Sequence, residues 1–415
     1  MKNGLLFFFL LVFFLFSENS DAQVHTPPGG NSITGLSITG LKRTKLHTAE
    51  EPLKRFIGMD ADVIDFDEVR AAVIDTGILE PLEVGTEDNR GSSGKILWVK
   101  VREKWAVFPV PIAFVNSDGY SAGGMFIDAN ALGLNDKFAL GGMYGSSGWM
   151  VSTAYIHAAR GKFPGVNAAF YYSSMDRQDR DENNNAVRKF HVNSLSAITG
   201  VRFKLSSIFS VKLGLSFYRG VISPAGSSFA VPGDDGNYIN LSTGINLDKK
   251  SWDGYFLYAK SIGVNFSYAF GLDAPWFYTL HIQGIFEQVI IPGLKAWLRA
   301  GVLYAPGVIP LLESKPSSVS VNILPKSFSA KNFFGGSAGL EKSIYRFSFG
   351  TLSLSASYQV VYSEGSILGG RLDHGIAGGI QFYMSKLAMP ALGLGVAYNV
   401  PAEYFQVYFN FGMSF

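Results

Sequence analysis

The stretch "GGSAG", Gly335–Gly339, matches the G-x-S-x-G pattern of a hydrolytic nucleophile. That pattern works where a strand turns sharply into a helix and lifts the serine clear of the sheet. Here a strand follows, so Ser337 reads as one more strand residue. His157, His191, His281 and His374 could serve as general bases. They are scattered, none has a carboxylate at a useful spacing along the chain, and they read as interior, interface or loop residues. The acidic run "MDRQDRDENNN" lacks the glycine and terminal glutamate of a calcium loop and reads as a solvated loop. Asp248, Lys249, Lys250 and Asp253 form a charged cluster that ends in Asp-Gly, a good turn pair. Lys212 and Arg299 alternate with apolar residues, as interior charges of a barrel would. With no cysteine in the chain, thiolate metal sites, disulfides and cysteine nucleophiles are excluded. The chemistry-bearing residues predict no enzyme, no metal and no cofactor.

The elements that must position these residues follow from composition and period. The 415 residues are 47% hydrophobic and only 16% charged, with a net charge of +2. No basic block points to nucleic acid. Met1–Ala22 has a short basic start, an apolar run over Leu5–Phe16 and small residues at Ser20 and Ala22, the pattern of a signal peptide. Residues 23–32 read as a polar linker rich in proline and glycine. Residues 33–104 read as a small α+β domain in the order strand, helix, helix, strand, strand. Thr48 with Glu51, and Asp65 with Glu68, have the spacing of capping boxes, and Gly58 and Gly77 are helix stops.

From Trp105 to Phe415 the pattern changes to segments of about ten residues with alternating polarity, the signature of a transmembrane β-barrel. In "FSVKLGLSF", Phe209, Val211, Leu213, Leu215 and Phe217 share one face. In "TLSLSASYQVVY", Leu352, Leu354, Ala356, Tyr358 and Val360 do so. At the C-terminus Phe405, Val407, Phe409, Phe411, Met413 and Phe415 form one row, and Tyr404, Gln406, Tyr408 and Asn410 the other. Lipid outside and a polar interior satisfy both rows. Sixteen such segments fit between 105 and 415, an even number that puts both ends on the periplasmic side. The fold expectation is a transmembrane antiparallel β-barrel of about sixteen strands behind one small α+β domain.

In this order the segments resemble the BamA/TamA family of outer-membrane assembly proteins, which carry periplasmic POTRA domains before a sixteen-stranded barrel. "ITGLKRT" resembles the first POTRA strand and turn, "DTGILEPLEV" the passage into the second strand, and "VKVREKW" the last strand leading into the barrel. The resemblance marks Gly40, Arg43, Thr44, Thr76, Gly77 and Glu103 as POTRA signature residues. "LDKKSWDGYF", with Asp248, Lys249, Lys250 and Asp253, resembles the turn between the eighth and ninth barrel strands. "FNFGMSF" resembles the terminal signal read by the assembly machinery. The family's interior loop carries an arginine-glycine-aromatic motif. Here "LPKSF" puts Lys326, Ser327 and Phe328 in those places. Lysine lacks the planar fork of arginine, and serine restricts the backbone where glycine does not.

The resemblance implies an outer-membrane protein that assists insertion or translocation of others. Its partners would be outer-membrane lipids, unfolded outer-membrane or exported client proteins and assembly lipoproteins. Two rivals stay open. One is a dedicated pore for a single exported partner, as in two-partner secretion. The other is a structural or surface protein that has lost insertase activity, which the altered "LPKSF" motif favours. A barrel enzyme such as an outer-membrane lipase or protease would need a catalytic cluster at the barrel rim.

Overall fold

The structure, a computed structural model, describes residues 31–89, 93–116, 119–159, 163–224, 235–253, 256–325, 327–365, 369–384 and 392–411. The expected signal peptide and most of the linker lie outside them. The N-terminal domain runs β1 (Ile33–Thr39), α1 (Leu46–Glu50), a 3-10 turn (Glu51–Phe56), α2 (Phe66–Ile74), β2 (Leu79–Asp88) and β3 (Lys95–Glu103). Its sheet order is β1-β3-β2, parallel between β1 and β3 and antiparallel between β3 and β2. Leu53, Phe56, Val69 and Val73 from the helical layer bury against Leu97, Val99 and Val101 of β3. The last residues of the expected linker already pair with the domain: Ala61 N–H donates to Asn31 O at 3.0 Å and Lys95 N–H to Ser32 O at 2.8 Å.

One of the two capping boxes forms as expected at its first residue. Asp65 caps α2 and accepts from Asp67 N–H at 2.8 Å, and Gly77 takes φ +75° just beyond the helix. The Thr48–Glu51 box does not form. α1 starts at Leu46 with Lys45 in the capping place and no side-chain cap. The cause is tertiary: Lys45 N–H donates to Gly133 O at 2.8 Å, which fixes the helix start ahead of Thr48 and leaves Thr48 buried.

Sixteen strands follow in one antiparallel sheet whose order is the order of the sequence. They are β4 (Val107–Asn116), β5 (Gly119–Ala131), β6 (Asp136–Gly145), β7 (Gly148–His157), β8 (Gly165–Arg180) and β9 (Ala186–Lys204). Then come β10 (Phe209–Pro224), β11 (Gly236–Asp253), β12 (Phe256–Gly271), β13 (Phe277–Ile291) and β14 (Leu294–Tyr304). The last are β15 (Asn332–Phe347), β16 (Gly350–Glu364), β17 (Arg371–Met384), β18 (Leu392–Asn399) and β19 (Tyr404–Phe411).

The alternation sorts side chains as the period-two reading requires. On β16, Leu354, Tyr358 and Val360 are exposed while Thr351, Ser353 and Gln359 are buried. On β10, Leu213 and Leu215 are exposed and Ser210 is buried. The sheet curls on itself. Eight strand steps along a flat sheet cover about 38 Å, yet Arg371 of β17 pairs with Glu182 of the β8–β9 turn at 2.5 Å.

Among the described residues no pairing joins β4 to β19, the two ends of the ladder. The edge of β4 is unusual. Ala129 N–H donates to Ala106 O at 2.8 Å, which puts the even-numbered residues of β4 in hydrogen-bonded pairs with β5. The odd-numbered ones, including Pro109 and Pro111, face away from it. Proline has no N–H to donate.

Candidate functional site

The loop between β14 and β15, residues 305–331, folds into the interior of the curled sheet. Val319, Val321, Ile323, Leu324 and Phe328 are all buried and pack with Phe333, Val361, Ala377 and Ala397 of the wall. Prolines set its two short 3-10 turns, Pro310–Leu312 and Pro316–Val319. Polar groups of the wall meet its backbone. His281 Nε2 bonds Ser318 O at 2.8 Å, Gln359 Oε1 accepts from Asn322 N–H at 2.7 Å, and Gln406 Nε2 donates to Leu324 O at 2.8 Å. Buried charges clamp the other side. Arg188 donates to Asp179 at 2.8 Å and to Glu313 at 2.5 Å, and Lys315 reaches Asp179 at 3.2 Å.

Two of the motif residues in "LPKSF", Ser327 and Phe328, can be placed in this loop. Phe328 is 2% exposed and lies 6.1 Å from Phe333 between ring centroids. Ser327 O accepts from Lys315 Nζ at 3.1 Å. Lys326 lies outside the described residues. The acidic run before it in sequence is not a freely solvated loop. Met175–Arg180 belong to β8, Asp179 is fully buried, and Glu182 reaches Arg371. Arg371 in turn holds Asp373 at 3.0 Å, and Asn399 of β18 donates to Asp373 at 3.1 Å.

Of the N-terminal residues singled out in the sequence, Arg43, Thr44, Thr76 and Glu103 lie at the joint between the small domain and the sheet. Glu103 Oε1, at the end of β3, accepts the N–H groups of Lys42 at 2.9 Å, Arg43 at 3.0 Å and Thr44 at 2.7 Å. Burial alone would raise this carboxyl, but those backbone donors and the Thr44 hydroxyl outweigh it and hold it below the usual carboxylate range. The neighbouring Lys104 is pushed down by burial. The turn so fixed meets the β5–β6 turn. The Arg43 guanidinium pairs with both oxygens of Asp128. Asn130 Nδ2 donates to Thr44 Oγ1 at 2.9 Å, and Asn135 Nδ2 to Thr76 O at 3.1 Å. Gly133, with φ +73°, lies so close that a Cβ there would be 2.2 Å from Arg43 O. Gly40, at φ +94°, packs as tightly on Val101 O.

Asp248, Lys249 and Lys250 are ladder residues rather than turn residues, opposite Ser261, Lys260 and Ala259. Asp253 is the last residue of β11 and pairs with Phe256. In the terminal row, Phe405 and Val407 are each 58% exposed. Phe409 and Phe411 continue that row in the backbone register, and Met413 and Phe415 lie outside the described residues.

The interior charges divide in two. Arg299 is buried and bonds Glu287 at 2.6 Å, next to Lys295–Glu341 at 3.1 Å. This network braces β13 to β15 from inside. Lys212 is exposed and lines a cavity of about 1130 Å³ in the half of the interior that the loop leaves free. Small polar residues pave it, among them Asn167, Gly200, Gly214, Ser242 and Asn265.

Ser337 is buried in β15, without the helix that a nucleophile elbow needs. The histidines correct the sequence reading, because two have carboxylate partners. His157 Nδ1 lies 3.0 Å from Asp136, and His191 Nδ1 lies 2.8 Å from Asp176. His191 Nε2 also lies 3.1 Å from Ser174 Oγ. The partners stand on the adjoining strand of a hairpin, far apart along the chain. Folding the sequence about the polar turn at 181–185 would have found the second pair. Asn193, opposite Ser174 in the register, has no side-chain hydrogen bond among the described residues.

These features define a class of fold: a curled, sixteen-stranded antiparallel sheet with an inward-folded loop and a small domain docked at one end. Solved structures resemble it. The chain matches BamA from Haemophilus ducreyi lacking POTRA domains 1-3 at 12% identity, over 91% of this chain and 83% of that one, with a TM-score of 0.55. It matches CdiB from Acinetobacter baumannii at 12% identity, over 91% and 73%, with a TM-score of 0.61. CdiB from Escherichia coli matches at 13% identity, over 92% and 76%, with a TM-score of 0.64. The likeness is one of fold. No protein-family model and no curated protein matches the sequence.

Proposed function

We propose that the chain is an outer-membrane β-barrel protein of BamA/TamA type, with the N-terminal domain a periplasmic POTRA-like module, and that it assists insertion or translocation of other proteins. The observation that carries this reading is the pairing of a lipid-type outer surface with an interior that holds a clamped loop, in a ladder whose end strands are not joined among the described residues. Backbone groups bare in lipid cost several kcal/mol each. An unjoined edge is therefore a place where a client strand gains by pairing. A dedicated export pore is the second reading. The free cavity of about 1130 Å³ beside the loop favours it.

Depletion of the protein in its native cell, followed by quantitative proteomics of the outer membrane, separates the readings. A broad fall in other barrel proteins supports general assembly. Loss of one exported protein supports the dedicated pore. No change leaves a structural relative and overturns both.

A further inference from the structure

The outward face of β8 and β9 carries a serine, a histidine and an aspartate within hydrogen-bond distance in that order. His191 Nε2 lies 3.1 Å from Ser174 Oγ, and Nδ1 lies 2.8 Å from Asp176 Oδ1. In this connectivity the carboxylate fixes the tautomer that leaves Nε2 free to take the serine proton. We propose that Ser174, His191 and Asp176 form a site that hydrolyses acyl esters, and that its substrate class is the glycerol ester of a membrane lipid. The lipid half of this proposal rests on the reading of the chain as an outer-membrane barrel; the ester chemistry does not.

Placement supports the substrate. Ser174 and Asp176 are two residues apart on β8 and share the outward row with Phe170, which is exposed. Arg177 and Asp179, of the opposite parity, turn inward to the loop. Ser174 pairs with Trp149, and Asp176 N–H donates to Ser147 O at 2.5 Å. The trio is thus level with the β6–β7 turn, where the apolar outer surface ends. Trp149 and Tyr172, with ring centroids 5.2 Å apart, lie beside it on the apolar side. Aromatic pairs at that height mark the boundary between hydrocarbon and headgroup, which is where lipid ester carbonyls lie. His191 and Asp176 remain 31% and 45% exposed, so a substrate can approach.

The developing oxyanion needs a donor, and the strand N–H groups on both sides are committed to the ladder. Asn193 supplies one. It stands opposite Ser174, about 5 Å away between Cβ atoms, and its amide has no partner among the described residues. The reaction balances with water as the only co-reactant. Ser174 Oγ bonds the ester carbonyl carbon while His191 Nε2 takes its proton. The ester C–O bond breaks and the leaving alcohol takes that proton. Water, deprotonated by His191, then releases the fatty acid and restores the serine.

The test uses the full chain refolded in detergent, with para-nitrophenyl butyrate as a soluble ester and phosphatidylethanolamine vesicles as the lipid. Ester hydrolysis is expected with both, along with fluorophosphonate labelling of Ser174. Ser174→Ala abolishes the label, and it and His191→Gln each lower the rate about a thousandfold or more. Asn193→Ala lowers it about a hundredfold. These are surface changes, and heat-modifiable gel mobility checks that each barrel is folded. A folded protein with no label and with rates equal to those of Ser174→Ala overturns the site. Hydrolysis of butyrate without hydrolysis of vesicles that contain the inserted protein overturns the lipid assignment alone. Failure to insert into vesicles overturns the membrane reading, and the butyrate assay still decides the ester chemistry.

Discussion

Replacing Glu103 by alanine removes the acceptor of three backbone N–H groups at once, those of Lys42, Arg43 and Thr44. A hydrogen bond to a charged group contributes about 1.5–3 kcal/mol net. Lys42 and Arg43 can turn to water when the carboxylate is gone, so their share falls to the low end. The joint should lose about 2–3 kcal/mol in total, a thirtyfold to hundredfold rise in local opening at 1.4 kcal/mol per decade. Hydrogen exchange of the folded full chain, read at residues 42–44, measures it. The docking contacts from Arg43 to Asp128 and from Thr44 to Asn130 should loosen with the turn. The same contact has a pH signature. The folded carboxyl is held low, so its stabilisation is complete above the unfolded glutamate value near 4.3 and disappears as pH falls through the folded value. Exchange at 42–44 that is the same in the variant and the parent would refute the claim that Glu103 organises this turn.

Arg188→Met removes the buried Arg188–Glu313 and Arg188–Asp179 ion pairs, while Asp179 keeps Arg177 and Lys315. The cost should be about 3 kcal/mol and fall on the loop, seen as larger single-channel conductance in planar bilayers and faster proteolysis within residues 305–331. Gly133→Ala puts a Cβ into Arg43 O at a positive φ. It should weaken the joint by about 2 kcal/mol or more and raise exchange at residues 43–45, leaving β8–β9 unchanged.

Strands were legible because the outer and inner rows differ in polarity at every step. β3 runs over Lys95–Glu103 and β14 over Leu294–Tyr304, as the alternation predicts. Their ends were less so. β8 and β11 run several residues past the loss of apolar alternation, since beyond the apolar surface a hairpin needs no greasy row to stay paired. Site residues divide by range. Asp65 caps through a bond two residues away, which a local reading can see. Arg188 and Glu313 are 125 residues apart, and only the curl of the sheet brings them together. Thr48 was misread because a partner in the β5–β6 turn, not its own neighbours, decides where α1 begins.

The free edge of β4 carries its carbonyls at 107, 109, 111, 113 and 115, but Pro109 and Pro111 remove two of the five matching donors. A strand laid against this edge can therefore give hydrogens along its whole length and receive few near the middle. Such a contact has direction: the newcomer must supply the donors. It is also weaker than a full ladder, so whatever rests there can leave again. A strand with all its donors would hold a neighbour equally through both kinds of group; this edge holds one mainly through its carbonyls.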